Sequence, residues 1–189
     1  RLAYSTVSQL SYIILAALLA TSGGIVGGAM HIAMHAFGKI TLFFCAGAIL
    51  VATHKTEVSQ MRGIGRSMPV TMIAFAIGSL SIIGAPPMGG LWSKWVLALA
   101  ALDAGQIAIV GVFLLSSLLS IGYLMPVVAL AFFSPPERKQ PGQAMTHKTV
   151  IKEAPGFCLA AMVFTSIGCI ALFVYPTPLY RLANMIVGS

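Results

Sequence analysis

The sequence predicts an all-α, polytopic integral membrane protein, and three observations lead to this fold class. Only 8% of its 189 residues are charged, against roughly 25% in soluble globular proteins. Hydrophobic residues make up 58%, and the mean hydropathy is +0.95. The apolar residues also come in runs long enough for helices that cross a bilayer. A soluble enzyme, a disordered chain and a secreted disulfide scaffold are therefore excluded.

Charged and Gly/Pro-rich stretches divide the chain into about six predicted transmembrane helices, which form one transmembrane domain over residues 1–189. In order, the predicted spans cover about residues 2–20, 28–53, 68–84, 89–102, 106–133 and 154–175. The first span ends at Thr21-Ser22-Gly23-Gly24. The fifth is long enough to cross with a tilt, since about 20 residues suffice.

The fourth span is short and follows the stretch Ala85-Pro86-Pro87-Met88-Gly89-Gly90. Pro86 and Pro87 cannot continue a helix, and Gly89 and Gly90 free the backbone beside them. Non-helical backbone at membrane depth is tolerated only inside protein or beside water. The stretch is therefore either a turn at an interface or a break within a transmembrane helix, where transporters place ion and substrate sites.

The net charge of +7 comes mostly from basic loops rather than from a basic face, so nucleic acid is not an expected partner. The loop over residues 55–66 carries Lys55, Arg62 and Arg66 against Glu57. The loop over residues 134–153 carries Arg138, Lys139, Lys148 and Lys152 against Glu137 and Glu153. If every span crosses the membrane, the two loops lie on opposite faces, and the positive-inside rule favours the longer one as cytoplasmic. Both can also rest against anionic lipid head groups.

Two lysines lie inside predicted spans, where a charge is costly. Lys39 has apolar sequence on both sides, and Lys94 lies a few residues beyond the Pro-Pro/Gly-Gly stretch. A lysine at the bilayer centre costs about 2.5–3.5 kcal/mol on insertion scales. This cost indicates a protein-lined or hydrated environment. The alternative for either lysine is that its long side chain carries the ammonium group to the interface.

His31 and His35 precede Lys39 by eight and four residues. On a helix the three side chains fall within about 80° of one another, and successive steps rise about 6 Å. Histidine titrates near neutral pH, and a desolvated lysine gives up its proton more readily, so this column can pass protons with water bridging the gaps. The histidines can instead ligate a metal or haem or form a structural pair. Because no Cys, Asp or Glu lies in register with them, no metal ligand and no cofactor-binding residue is predicted.

Other polar and thiol side chains in the spans are weaker signals. One stripe on the first span comprises Ser5, Ser8, Gln9 and Tyr12, and one on the fifth comprises Ser116, Ser120 and Tyr123. Hydroxyl groups at such positions more often join helices than conduct ions. Cys45, Cys158 and Cys169 stand singly in apolar stretches and are interpreted as core-filling side chains.

Four motifs stand in order over about 95 residues. They are Leu2-Ala3-Tyr4-Ser5-Thr6-Val7-Ser8-Gln9, His31-x3-His35-Ala36-Phe37-Gly38-Lys39-x2-Leu42-Phe43, Gly63-Ile64-Gly65-Arg66-Ser67-Met68-Pro69 and Gly84-Ala85-Pro86-Pro87-x2-Gly90-Leu91-Trp92-Ser93-Lys94. Together they resemble the antiporter-like, proton-conducting subunits of respiratory complex I and of multi-subunit Mrp-type cation/proton antiporters. The fifth span looks most like the D-type branch of the Mrp antiporters, whereas the chain beyond about Phe133 matches little.

The resemblance implies a fold of about fourteen helices with two inverted five-helix repeats, of which this chain holds the second repeat and a closing helix, roughly the C-terminal 40%. It also implies that Lys39 and Lys94 carry protons and that His31 and His35 relay them. The broken helix would be the one with Pro86, Pro87, Gly89 and Gly90. The membrane glutamate and lysine of the family's first repeat are not in this chain.

The expected function is therefore proton translocation within a multi-subunit Na⁺ or K⁺/proton antiporter. Its expected partners are other membrane subunits, protons, Na⁺ or K⁺ and membrane lipid, and its expected location is a bacterial or archaeal inner membrane. One alternative is a proton-pumping subunit of an NADH-quinone oxidoreductase or a membrane-bound hydrogenase, with no redox centre of its own. Another is a truncated, non-conducting scaffold subunit. No catalytic chemistry is expected in this chain.

Overall fold

The computed structural model describes residues 1–135 and 153–188, and all regular structure in these ranges is helical. Its α-helices are α1 (Leu2–Leu18), α2 (Ser22–Thr53), α3 (Pro69–Ile83), α4 (Gly90–Asp103), α5 (Ile107–Phe133), α6 (Gly156–Val174) and α7 (Thr177–Val187). Two 3-10 helices, Val58–Met61 and Ile64–Arg66, lie between α2 and α3. By length and composition α2, α5 and α6 can each cross a membrane, and α1 and α3 are shorter apolar helices. The predicted all-α membrane fold is confirmed.

The central helix of the bundle is α2, whose 32 residues extend for about 48 Å at 1.5 Å per residue. It packs against α1, α3, α4, α6 and α7. It begins six residues before the predicted start, because Gly24 lies inside its first turn rather than in a loop. The Thr21 hydroxyl accepts a hydrogen bond from the Gly24 N–H at 3.1 Å and caps the helix. Further along, a Cβ atom on Gly27 would lie 2.9 Å from Leu97 of α4, so the glycine permits close packing.

Both α1 and α6 run antiparallel to α2. In each case the contacting residue that comes later in α1 or α6 meets the residue that comes earlier in α2. The contacting pairs are Ala16–Gly28 and Leu2–Lys39 for α1, and Gly168–Phe37 and Thr165–Thr41 for α6.

Helices α3 and α4 follow one another in the same direction along α2. The pairs Gly78–Leu42 and Ile82–Gly38 join α3 to the second half of α2, and the pairs Ser93–His31, Leu97–Gly27 and Ala100–Gly23 join α4 to the first half. Together they traverse α2 as one helix that is interrupted at residues 84–89. The interruption begins at Gly84, whose φ of +83° is left-handed, a conformation that glycine adopts without a steric penalty.

The path of this broken helix removes the condition under which the two basic loops were expected on opposite faces, namely that every predicted span crosses the membrane. Because α3 and α4 make one traverse rather than two, α5 returns to the side on which α2 ends. There the Gly63 N–H donates to the Leu130 carbonyl oxygen at 3.1 Å. Glu153 accepts hydrogen bonds from the Val70 N–H and the Thr71 hydroxyl, both at 2.7 Å, at the start of α3. The other charged residues of the second loop, Glu137, Arg138, Lys139, Lys148 and Lys152, lie outside the described residues.

The short helix α7 was not predicted from the sequence. Its 11 residues cannot cross a bilayer, and only Ala183 is buried, in a cluster with Val26, Met30 and Met34 of α2. Most of its other apolar side chains are exposed. Its pattern is therefore that of an amphipathic helix, which an argument based on long apolar runs does not detect.

Candidate functional site

The three ionisable side chains of α2 that were singled out from the sequence lie on one buried face of that helix. His31 is 2% exposed, His35 9% and Lys39 5%. The two imidazole rings are stacked, with centroids 5.8 Å apart and an interplanar angle of 17°. The column expected from helical spacing is therefore present as an arrangement of side chains.

His31 connects three helices through both of its ring nitrogens. Its Nε2 lies 3.1 Å from Oε1 of Gln9 on α1, and its Nδ1 lies 3.0 Å from Oγ of Ser93 on α4. Gln9 and Ser93 are fully buried. These two hydrogen bonds can form because α1 and α4 both run antiparallel to α2, and Gln9 and Ser93 lie at the level of His31.

His35 has a different environment, although it lies only one turn further along α2. Both of its ring nitrogens are buried, and neither has a hydrogen-bond partner among the residues that the structure describes. Its level on α2 falls between that of Gly38, which contacts the end of α3, and that of His31, which contacts the start of α4. His35 therefore lies level with the interruption at residues 84–89.

Lys39 reaches across to the first turn of α1. Its Nζ donates a hydrogen bond to the Leu2 carbonyl oxygen at 2.9 Å. The same carbonyl oxygen accepts from the Thr6 hydroxyl at 3.0 Å. The ammonium group is thus held by one neutral oxygen.

Lys94, in the first turns of α4, folds back onto the end of α3. Its Nζ donates to the carbonyl oxygens of Ile82 and Ile83 at 2.9 and 3.0 Å, and to Oγ of Ser117 on α5 at 3.0 Å. The last carbonyl groups of a helix lack partners and carry the negative end of its dipole. The ammonium group therefore caps α3, and the interruption of the helix provides the oxygens that bind it.

Tyr12 of α1 lies between His31 and Lys94. Its ring stacks on His31 at 5.3 Å and on Phe113 at 4.8 Å between centroids, and its hydroxyl donates to the Phe113 carbonyl oxygen at 3.1 Å. Nζ of Lys94 lies 5.2 Å from the centroid of the same ring. A cation in this position is attracted by the π-system of the ring.

The four residues of the predicted break have two different environments. Pro86 and Pro87, joined by a cis peptide bond, are exposed, whereas Gly89 and Gly90 are buried. The Gly89 N–H donates to the Cys169 carbonyl oxygen of α6 at 3.0 Å. A Cβ atom on Gly90 would collide with the Ser81 carbonyl oxygen. The paired glycines thus allow α3, α4 and α6 to meet closely, and the prolines turn the chain at the edge.

Sequence reasoning identified the ionisable residues of this site but not the residues that hold them. Gln9 and Tyr12 stood out as part of a polar stripe, and Gln9 and Ser93 belong to the quoted motifs. None of them, and not Ser117, was given a role in the site. For Ser93 a signal was available, because it directly precedes Lys94 in the motif of the broken helix. Ser117 gave no such signal, because it is one of several hydroxyl-bearing residues on α5.

Comparison with known proteins gives the family. Residues 1–120 match the family model described as "NADH:quinone oxidoreductase/Mrp antiporter, TM". NADH-quinone oxidoreductase subunit N of Desulforudis audaxviator is 36% identical over 178 residues, which are 90% of this chain and 35% of that one. This chain thus spans about a third of that relative's length.

Two solved structures share the fold. A chain of the Mrp complex from Dietzia sp. DQ12-45-1b superimposes with a TM-score of 0.83 at 25% identity, covering 97% of this chain and 41% of that one. A chain of the membrane-bound sulfane sulfur reductase, an archaeal respiratory membrane complex, gives a TM-score of 0.77 at 28% identity, covering 92% and 28%. The protein is therefore an integral membrane protein that belongs to the NADH:quinone oxidoreductase/Mrp antiporter transmembrane family.

Proposed function

We propose that this chain translocates protons across a membrane as one subunit of a multi-subunit complex. The observation that carries the proposal is the environment of Lys94, whose ammonium group is bound by three neutral oxygens beside a break in a helix. Within residues 1–135 and 153–188 neither Lys94 nor Lys39 contacts a carboxylate. A buried ammonium group of this kind can release its proton without leaving an unpaired carboxylate behind.

In this proposal the path contains Lys39, His35, His31 and Lys94. Lys39 is the central carrier and Lys94 the terminal one, with the histidines between them along α2. The interruption from Pro86 to Gly90 lets water reach Lys94. Two ammonium groups repel each other, so a proton that arrives at one lysine favours release from the other.

We further propose that proton movement is coupled to exchange of Na⁺ or K⁺, as in an Mrp-type antiporter. The superposition with a chain of the Mrp complex over 97% of this chain supports this assignment. The identity of 36% with an NADH-quinone oxidoreductase subunit favours a second candidate. In that case the chain pumps protons within a quinone oxidoreductase or a hydrogenase-type complex and has no redox centre of its own.

The proposed partners are other membrane subunits, the transported ions and membrane lipid. The outer face of α5 supports the first and last of these, because four leucines on it are more than half exposed: Leu114, Leu115, Leu118 and Leu119. We propose the inner membrane of a bacterial or archaeal cell as the location. One of the similar complexes is described as archaeal.

The orientation follows from the two basic loops. Both begin or end on the side of the bundle where α2 ends and α3 begins, and by sequence they carry most of the positive charge of the chain. Short cytoplasmic loops are enriched in Lys and Arg. We infer that this side faces the cytoplasm and that the short connections of residues 19–21 and 104–106 face the other compartment.

The test uses the assembled complex in sealed vesicles that contain a pH-sensitive dye. Addition of Na⁺ or K⁺ is expected to move protons in the wild type, and about 100-fold less in Lys39→Gln and Lys94→Gln, since a positioned proton-transfer group contributes at least this factor. Proton movement at the wild-type rate in both variants would overturn the proposal.

The same preparation separates the alternatives. Proton movement that needs quinone reduction, together with co-purified iron–sulfur and flavin subunits, indicates the redox complex. Loss of assembly in the lysine variants, with no intact complex left to transport, indicates a scaffold subunit.

A further inference from the structure

The two buried histidines of α2 differ in a way that their spacing does not reveal. Both ring nitrogens of His31 are hydrogen-bonded, to Gln9 and to Ser93. Both ring nitrogens of His35 are buried with no hydrogen-bond partner in the part of the chain that the structure describes. A histidine that relays protons needs a nitrogen that can receive the proton and a neighbour that can take it onward.

Neither partner of His31 can pass a proton onward. The Gln9 side chain offers an amide oxygen, which accepts a hydrogen bond but has no proton to give. The Ser93 hydroxyl lies 3.2 Å from the Gly90 carbonyl oxygen, which also only accepts. A proton on His31 therefore has no onward partner on either side.

With the Gln9 amide oxygen facing the ring, one tautomer of a neutral His31 satisfies both contacts. Because Oε1 of Gln9 can only accept, Nε2 of His31 is the donor across the 3.1 Å contact. Nδ1 then accepts from the Ser93 hydroxyl across 3.0 Å, and the single hydrogen of that hydroxyl turns away from the Gly90 carbonyl oxygen at 3.2 Å. The Gln9 amide nitrogen is buried without a partner among the described residues. A half-turn of this amide, with the Ser93 hydroxyl donating to the Gly90 carbonyl oxygen instead, would give the opposite Nδ1–H tautomer.

We propose that Gln9 and Ser93 are positioning residues that lock His31 as the neutral Nε2–H tautomer, so that His31 ties α1, α2 and α4 together while His35 is the histidine that exchanges protons. The inference rests on the proposed function and narrows its path, because it takes His31 out of the proton path and keeps His35 in it. In the exchange, an ammonium group of Lys39 gives a proton to a ring nitrogen of neutral His35, which leaves a neutral amine and an imidazolium. The imidazolium returns to neutral when it gives the proton to a neutral Lys94, with water bridging the gaps.

The hydrogen bond between His31 and Ser93 also affects the position of Lys94. Ser93 directly precedes Lys94, and the Lys94 ammonium must meet the carbonyl oxygens of Ile82 and Ile83. Holding Ser93 against α2 orients the first turn of α4, and thereby the lysine. His31 thus acts through Lys94 rather than on the proton itself.

The first experiment reads the tautomer by solid-state NMR on the complex in lipid, with ¹⁵N-labelled histidine. The chain has four histidines, and the His31 and His35 signals are assigned by their loss in His31→Asn and His35→Asn. The wild type is expected to show one His31 tautomer, with hydrogen on Nε2. Gln9→Met is expected to give a mixture of both tautomers, and Gln9→Glu, which retains an acceptor, to restore the single Nε2–H form. A wild-type Nδ1–H signal, or a spectrum that Gln9→Met leaves unchanged, would overturn the lock.

The second experiment compares proton movement in vesicles. His35→Asn is expected to lower the rate by about 100-fold, as for loss of a proton-transfer group. His31→Asn is expected to lower it by about fivefold, roughly the effect of one lost hydrogen bond of about 1 kcal/mol. Equal losses at the two positions would contradict the division of roles. The NMR result does not depend on transport. The assignment of a single His31 tautomer can therefore fail while proton translocation is confirmed, and it can hold while proton translocation fails.

Discussion

The two buried lysines of this protein have different surroundings. Lys94 is held by two helix-terminal carbonyl oxygens, a serine hydroxyl and the face of a tyrosine ring. Lys39 is held by a single carbonyl oxygen of α1. The Lys94 environment is built by several helices and by the break between two of them, whereas the Lys39 environment needs one helix contact.

The difference indicates that the two ends of the proposed path depend on different parts of the structure. The backbone oxygens that bind Lys94 depend on where α3 stops and α4 starts, so changes in the break should act on Lys94. The single contact of Lys39 leaves its ammonium group less constrained. Substitutions at Lys94, Gly90, Ser117 and Thr41 test this division, with effects that are expected to decrease in that order.

Lys94→Met should have the largest effect, a loss of about 100-fold in proton flux, because methionine has a similar shape but cannot carry a proton. The flux is measured with a pH-sensitive dye after a membrane potential is imposed on vesicles that contain the complex. The control is Lys55→Met, because Lys55 donates to the Gln60 carbonyl oxygen in the loop after α2, away from the path. Equal losses in both variants would mean that the effect is not specific to the Lys94 environment.

Gly90→Ala should lower the free energy of unfolding by about 1–3 kcal/mol, as overpacking does, because its Cβ would collide with the Ser81 carbonyl oxygen. Unfolding of the purified complex in detergent is followed by denaturant titration. Gly122→Ala in α5 is the matched control, since a Cβ there meets nothing within 4 Å, and it should be neutral or stabilise by up to about 1 kcal/mol. A Gly90 variant as stable as the Gly122 variant would show that the break is not closely packed.

Ser117→Ala should reduce proton flux by about fivefold, because it removes one of the three oxygens that bind Lys94, a loss of about 1 kcal/mol. Ser116→Ala is the control on the same helix, since its hydroxyl lies 3.5 Å from that of Ser8 and does not contact Lys94. Dye-loaded vesicles give both rates. If the two variants lose flux equally, Ser117 has no special role at Lys94.

Thr41→Val should leave proton flux within about twofold of the wild type and lower stability by about 1 kcal/mol, through loss of the 2.8 Å hydrogen bond between Thr41 and Thr165. Thr41 lies two residues after Lys39, about 200° around α2 from it, and packs against α6. Flux and detergent unfolding are both measured. A large flux loss with unchanged stability would place the second polar face of α2 in the path.

The fold class and the ionisable residues could be predicted from the sequence for physical reasons. Apolar runs specify membrane helices, and the spacing of His31, His35 and Lys39 places them on one face of a helix. The cost of burying a charge made Lys39 and Lys94 stand out from an apolar background. Each of these arguments needs only local sequence.

What could not be predicted depends on how helices pair. The common direction of α3 and α4 follows from close contacts at Gly38, Gly78 and Ser93, and no local pattern encodes it. The sequence therefore could not decide whether every predicted span crosses the membrane separately. The difference between His31 and His35 likewise arises from Gln9 and Ser93 on other helices. The amphipathic helix α7 was not predicted because it is short and polar residues interrupt its apolar sequence.

The most direct test of proton transfer through the two lysines is the flux through Lys39→Arg and Lys94→Arg, measured side by side in vesicles with the amount of assembled complex determined in each. Arginine retains the positive charge and the hydrogen-bond donors, but it does not release its proton in proteins. Both variants are expected to assemble, and flux is expected to fall in each by about 100-fold. Assembled complexes that conduct at the wild-type rate with arginine at either position would contradict the proposed path.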